Sequence, residues 1–162
     1  MPVGGVAMKK TDWLVLSCLR KNARMPLTRM SRETKIPVST IFDKLKEFEH
    51  KVIKRHTVLM DFRSLGFDVR LSLLLKIGQD VRDEALSFLM ASEHVNNLWK
   101  VSSGFDVLVE CVFRDLPEMS GFLDRLDAFP ILDRREFLVM EDMRREAFLA
   151  DTDLVRLSKA KI

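Results

Sequence analysis

The sequence predicts an α+β protein of two unlike units in tandem, a basic all-helical half followed by a βαββαβ half. Three observations predict it. Apolar residues recur at helical spacing through three short segments before Lys51, then change to strict alternation at Val69, Leu71, Leu73, Leu75 and Ile77. The charge changes sign along the chain: residues 1–66 carry fourteen Lys/Arg and six Asp/Glu, a balance of +8, whereas residues 67–162 carry thirteen and eighteen, a balance of −5. Beyond residue 67, helical and alternating segments follow in the order strand, helix, strand, strand, helix, strand.

Each element has its own signal. Thr11 is a candidate N-cap for a first helix carrying Val15, Leu16 and Leu19 and ending near Asn22, ahead of the turn at Arg24-Met25-Pro26. A second, short helix starts after Pro26, with Thr28 as candidate cap and Leu27, Met30 and Ser31 inward, and stops at Lys35-Ile36-Pro37 because proline lacks an amide donor. Ser39 is a candidate cap for a third helix, with Ile41, Leu45 and Phe48 inward and Thr40, Phe42, Asp43, Lys44, Lys46 and Glu47 outward. The β-branched run from Val52 to Met60 is expected to be a strand leaving the helices, and a loop ending at Leu65-Gly66 closes it.

In the second half, a strand over Val69 to Ile77 precedes a helix opening at Asp80 with Val81, Ala85, Phe88 and Leu89 on one stripe. Strands through Val95 and Leu98 to Val101 and through Phe105 to Phe113 follow. A helix with Leu116, Met119, Leu123 and Leu126 inward and Pro117 in its first turn leads to a last strand over Arg134 to Glu141. Two split β-α-β units give a ferredoxin-like domain: four antiparallel strands with two helices on one face. The other face, with Leu74 and Val112 among polar residues, lacks cover, so a homodimer is expected. The expected divisions are 8–53 for a winged helix-turn-helix domain, 54–66 for a linker strand and loop, 67–141 for the ferredoxin-like domain and 142–162 for a C-terminal tail in which Phe148, Leu149, Leu154 and Leu157 allow a helix.

Composition excludes several classes. With 162 residues, 47% hydrophobic and 31% charged, the chain is globular rather than disordered. No run approaches eighteen apolar residues and the N-terminal charges follow the apolar part, so neither a membrane span nor a signal peptide is expected, and the expected location is the cytoplasm. Cys18 and Cys111 sit in apolar patterns, as buried thiols do, and no metal-ligand spacing or cofactor motif occurs. His50, His56 and His94 are scattered without acids at ligand spacing and are expected on the surface.

A basic half that contains two short helices joined by a tight turn points to double-stranded DNA. The helix after the turn is placed in the major groove by this motif, and the following strand is the expected wing. Ser39 and Thr40 can donate to phosphate or read a base edge at that helix's N-terminus. Lys44 and Lys46 add charge, Arg29, Arg32, Lys35, Lys54 and Arg55 surround the helix in sequence as phosphate contacts, and Thr28 is also expected among the DNA-binding residues. Phe42 can touch a thymine methyl or pack on the wing. Asp43 either pairs with a neighbouring lysine or accepts from a cytosine amino group.

Several segments together resemble the Lrp/AsnC, or feast/famine, family of transcription regulators: Asp12 before the first helix, Ala23-Arg24-Met25-Pro26-Leu27, Ile36-Pro37-Val38-Ser39-Thr40-Ile41 with Lys44-Leu45, Val52-Ile53, and Leu65-Gly66-Phe67. The resemblance covers nearly the whole chain. It implies a winged helix joined by a strand to an effector-binding and assembly domain, working as dimers that often form octamers and often answering to amino acids. The family's Gly-Asp-Tyr-Asp loop, which lines its amino-acid pocket, corresponds to Ser103-Gly104-Phe105-Asp106 here, so the resemblance assigns effector contacts to Ser103, Gly104, Phe105 and Asp106. The resulting expectation is a sequence-specific regulator with a near-palindromic site and no enzymatic activity. The rivals are an enzyme on the same scaffold, like the siroheme decarboxylases, and a non-specific DNA-coating protein.

Overall fold

Helical period and alternation separate into two units in the computed structural model, which describes residues 7–151. Among the described residues, one unit comprises 7–58 together with 143–151, and the other runs from Leu59 to Asp142.

The helical unit packs α1 (Lys10–Lys21), α2 (Leu27–Thr34) and α3 (Val38–Lys51) around Val15, Cys18, Met30, Ile41 and Phe48, all of them buried. Each helix starts earlier than its expected hydroxyl cap. Lys9 is the N-cap of α1, and its backbone N–H donates to Asp12 Oδ2 at 2.7 Å, so Thr11 lies within the first turn. Pro26 and Pro37 stand at the N-caps of α2 and α3, which leaves Thr28 and Ser39 inside their helices. A proline immediately before a helix has the extended ψ that a cap requires and no amide to leave unsatisfied.

The run from Val52 to Met60 forms no strand. A strand is defined by the ladder that satisfies its amides, and nothing in the described chain pairs with this segment. Val58, Leu59 and Met60 are instead 66%, 57% and 48% exposed. Over its described part, to Asp151, the expected C-terminal tail holds no helix, while Leu154 and Leu157 lie outside the described residues. Residues 143–151 pack on the helical unit: Arg20 donates from Nε to the Phe148 carbonyl at 3.1 Å and from Nη2 to the Glu146 carbonyl at 2.9 Å, and Leu149 joins the apolar core.

The sheet unit contains β1 (Val69–Ile77), α4 (Arg82–Ala91), β2 (Val95–Lys100), β3 (Val107–Phe113), α5 (Leu116–Leu126) and β4 (Ile131–Leu138), with the strands in the order β2-β3-β1-β4 and every neighbouring pair antiparallel. Before it, the 3-10 turn Arg63–Leu65 ends on Gly66, whose φ of 83° is a left-handed conformation that glycine adopts without strain. The residues alternating inward on β1 and β3 (Leu71, Leu73, Leu75, Val109, Cys111 and Phe113) meet Ala85 and Leu89 of α4 and Phe122 and Leu126 of α5. Rings stack through this core, with Phe122 5.4 Å from Phe113 and 5.7 Å from Phe88.

Three expectations shift here. Leu116, the first residue of α5, is exposed, and Phe122 takes the inward place given to it. β4 begins at Ile131 and ends at Leu138, its ladder with β1 running from Ile77↔Ile131 to Leu71↔Leu138, and the Val139 amide adds one more bond to the Arg70 carbonyl at 2.9 Å. His94 is buried rather than on the surface, its ring 4.9 Å from that of Phe113.

Candidate nucleic-acid interface

Two backbone devices aim α3. The α2 helix ends on Thr34, whose hydroxyl donates to the Met30 carbonyl at 2.7 Å, and on Lys35 in the left-handed region at φ 63°, whose amide donates to the Ser31 carbonyl at 2.8 Å. Ile36 and Pro37 then turn the chain directly into α3. On α3 the period of 3.6 puts Ile41 and Phe48 inward and Ser39, Thr40, Phe42, Asp43 and Lys46 on the exposed side.

The sequence-expected contacts divide. Lys46 Nζ stands 4.5 Å above the Phe42 ring, a cation–π contact that holds both side chains on the outer face. Thr28 is exposed on α2, and Arg32, Lys54 and Arg55 are exposed and make no ion pair among the described residues. Arg29 is turned to Glu33 one turn along α2, with Nε 2.9 Å from Oε1. Asp43 pairs with no lysine among the described residues. Lys44 corrects the sequence reading: it is half-buried and its Nζ pairs with Asp12 Oδ1, tying α3 to α1.

Burial would raise the Asp12 carboxyl, but the hydrogen bonds from Lys44 and from the Lys9 amide outweigh it and hold the group below its ordinary value of 3.8. The signal for this pair was present in the sequence. Asp12 lies three and four residues before Val15 and Leu16, and Lys44 lies between Ile41 and Phe48 at i+3 and i−4, so each is a charge on an apolar stripe. The Arg20 clamp on residues 146–148 has no comparable signal, since its acceptors are mainly carbonyls.

In the sheet unit Ser103 and Gly104 turn β2 into β3 with φ of 68° and 97°. Asp106 is already engaged: Oδ2 accepts from the Ile77 amide at 2.8 Å and Oδ1 lies 2.8 Å from Arg82 Nη2. The Arg135 guanidinium stands 5.5 Å from the Phe105 ring. These four residues therefore share one loop, and the carboxylate among them positions β1 and α4.

The sheet face away from the helices follows from register, because directly opposed residues share a face. Leu74 faces Leu108 and Arg135, Leu108 faces Trp99, and Ser72 faces Glu110 and Phe137. Arg70 Nη2 pairs with Glu110 Oε1 at 2.7 Å on this face, and Asn96 and Asn97 also donate to Glu110. Burial would raise the Glu110 carboxyl, and these three partners together hold it below its ordinary value of 4.5. Burial pushes the nearby Cys111 thiol up to about 12, an inert side chain.

Among the described residues no group of His, Cys, Asp and Glu could hold a metal ion, and no helix is long and apolar enough to cross a membrane.

Comparison with known proteins agrees with this architecture. Residues 8–51 match the winged helix-turn-helix DNA-binding family. The chain is 22% identical over 142 residues to the HTH-type transcriptional regulator FL11 of Pyrococcus abyssi, covering 87% of this chain and 94% of that protein. It is 24% identical over 117 residues to the HTH-type transcriptional regulator Ptr1 of Methanocaldococcus jannaschii, covering 72% and 79%. Among solved structures, a transcriptional regulator of Neisseria meningitidis in complex with L-Met aligns with a TM-score of 0.78 at 20% identity over 85% of this chain and 93% of that one. E. coli AsnC aligns with a TM-score of 0.74 at 14% identity over 86% and 97%. The chain thus carries a winged helix-turn-helix match at its N-terminus and shares with these regulators the same two folds in the same order.

Proposed function

We propose that the protein is a transcription regulator that binds DNA sequence-specifically as a homodimer, with α3 in the major groove. The observation that carries this reading is the exposed face of α3, where Ser39 and Thr40 open the helix and Phe42 and Lys46 are held outward, flanked in sequence by Arg32, Lys54 and Arg55, exposed cations that make no ion pair among the described residues. In it residues 8–53 bind DNA, 54–66 link, and 67–141 assemble and sense. The uncovered sheet face, with Leu74, Leu108, Trp99, Val112 and Phe137, supports pairing of two copies. Two-fold pairing then demands a near-palindromic site.

An amino-acid effector belongs to the same proposal, supported by the solved neighbour that carries L-Met, and further association to octamers is proposed on the family resemblance alone. In this chain such an effector meets the backbone of the Ser103-Gly104 turn and the Phe105 ring, because the Asp106 carboxylate is taken. An enzyme on this scaffold gains nothing from the second half's histidine, His94, which is packed in the core.

The test is selection of the full chain against random duplex DNA at about 150 mM salt, where non-specific attraction is mostly screened. A two-fold symmetric motif with half-sites about 10 base pairs apart is expected. No enrichment, with binding that vanishes as salt rises, would remove the sequence-specific reading and leave a DNA-coating protein.

A further inference from the structure

The centre of the exposed face of α3 carries an acid, Asp43, with no ion-pair partner among the described residues. At 100° per residue Asp43 lies on one line with Ser39, Lys46 and His50. The lysines that sequence offers it are both committed: Lys44 pairs with Asp12, and Lys46 sits over the Phe42 ring. Glu47, one turn on, is itself paired with Lys51 at 2.8 Å. Asp43 is exposed, and its side chain makes no ion pair among the described residues.

An ionised carboxylate only accepts hydrogen bonds, so it is repelled by every phosphate it approaches. A face evolved to grip backbone alone gains nothing from an acid at its centre. The major groove offers a carboxylate two donors, the N4 amino group of cytosine and the N6 amino group of adenine, whereas guanine and thymine present acceptors at O6, N7 and O4. The adenine amino group lies beside the N7 acceptor, which repels a carboxylate; the cytosine amino group lies beside a C5–H edge. Phe42, adjacent on the helix and 47% exposed, offers the apolar surface that suits the C5 side of a pyrimidine.

We infer that Asp43 is a specificity-determining residue that accepts from the N4 amino group of a cytosine in each half-site, while Phe42, held by Lys46, packs on the C5 edge of a neighbouring pyrimidine. The inference rests on α3 being the recognition helix. Asp43 discriminates more than it attracts: it rewards one base and penalises every site that lacks it.

Random-duplex selection at about 150 mM salt, run in parallel on the full-length wild type, Asp43→Asn and Phe42→Leu, tests this. The wild type is expected to return a motif with cytosine at one fixed position per half-site. Asp43→Asn keeps the shape but can donate as well as accept; it should lose about tenfold in preference for cytosine, drift toward adenine, and bind random duplex more tightly. Phe42→Leu should weaken preference at the adjacent pyrimidine and leave the cytosine in place. A wild-type motif without a fixed cytosine, or an unchanged motif from Asp43→Asn, overturns the inference and leaves sequence-specific binding standing. A wild type that selects no motif overturns both.

Discussion

In the helical unit a largely buried ion pair, Asp12 with Lys44, joins α1 to the inner side of α3, so its charge lies behind the candidate DNA-binding face. In the sheet unit the corresponding pair, Arg70 with Glu110, lies on the uncovered face itself, among Leu108, Trp99 and Phe137. Both pairs are supported by additional hydrogen bonds, the Lys9 amide to Asp12 and Asn96 and Asn97 to Glu110, while Arg70 Nε is buried with no hydrogen-bond partner among the described residues. The first fixes the attitude of a helix whose other side stays free for a polar partner. The second places a directional, polar element beside the apolar residues Leu74, Leu108, Trp99 and Phe137, which restricts how another apolar surface can be laid over them. The same chemistry thus orients an element in one unit and qualifies a surface in the other.

The contrast can be broken most strongly through the cores. Phe122→Ala removes a fully buried ring that meets Phe113 and Phe88, and should cost about 4 kcal/mol in denaturant unfolding of the sheet unit. DNA contacts by the helical unit should persist at temperatures where the variant is folded; loss of both together would mean that the two units do not fold separately.

Next in size, Arg70→Ala leaves Glu110 with Asn96 and Asn97 alone and should destabilise by about 3 kcal/mol. Arg70→Met with Glu110→Leu should recover most of that loss, measured in the same unfolding titration. A double variant as unstable as the single one would show that the network, not the removal of a stranded charge, sets the cost.

Lys44→Ala sharpens the comparison because two readings of that residue give opposite results. As a phosphate contact it would lower the salt dependence of DNA binding by about one unit of slope. As the partner of Asp12 it should instead cost about 2 kcal/mol of stability and leave that slope unchanged, with unfolding and salt titration read on the same sample. Lys54→Ala and Arg55→Ala, at exposed positions that make no ion pair among the described residues, are expected to reduce the slope without altering stability.

Acid should weaken both pairs. Asp12 and Glu110 are each held below their ordinary values of 3.8 and 4.5, so their contribution is complete above those values and is lost as the pH falls through the lower values of the folded state. Stability measured from pH 6 downward should therefore decline as these carboxyls protonate. A Lys44→Ala variant should show a shallower decline than the wild type, and an identical profile would dismiss the Asp12 pair as a source of the effect.

Much of the fold was legible residue by residue. The strict alternation from Val69 to Ile77 became β1 with those bounds, because alternation at period two has few other ways to bury one face. The three helices appeared where spacing put them, each starting before its expected hydroxyl cap because a proline or an Asp12 side chain supplied the start instead. The run from Val52 to Met60 was misread as a strand, since β-branched composition measures fitness for a pleated surface and cannot supply the partner ladder. For the candidate interface, exposure of Ser39, Thr40, Phe42, Asp43 and Lys46 followed from helical period, and the same period puts Lys44 on the stripe of Ile41 and Phe48, whereas its pairing with Asp12 is a contact made only by the fold.

The sequence by itself determined the order of the elements, the two-unit architecture, the sign of the charge in each half and the outward face of α3, because all of these depend on local period and composition. Tertiary structure decided which charges stay free. Lys44, expected on the outer face of α3, is held by Asp12, thirty-two residues away, and Asp106 is held by the Ile77 amide and Arg82. A side chain's availability is set by whichever partner the fold brings within hydrogen-bond reach, and no local pattern carries that information.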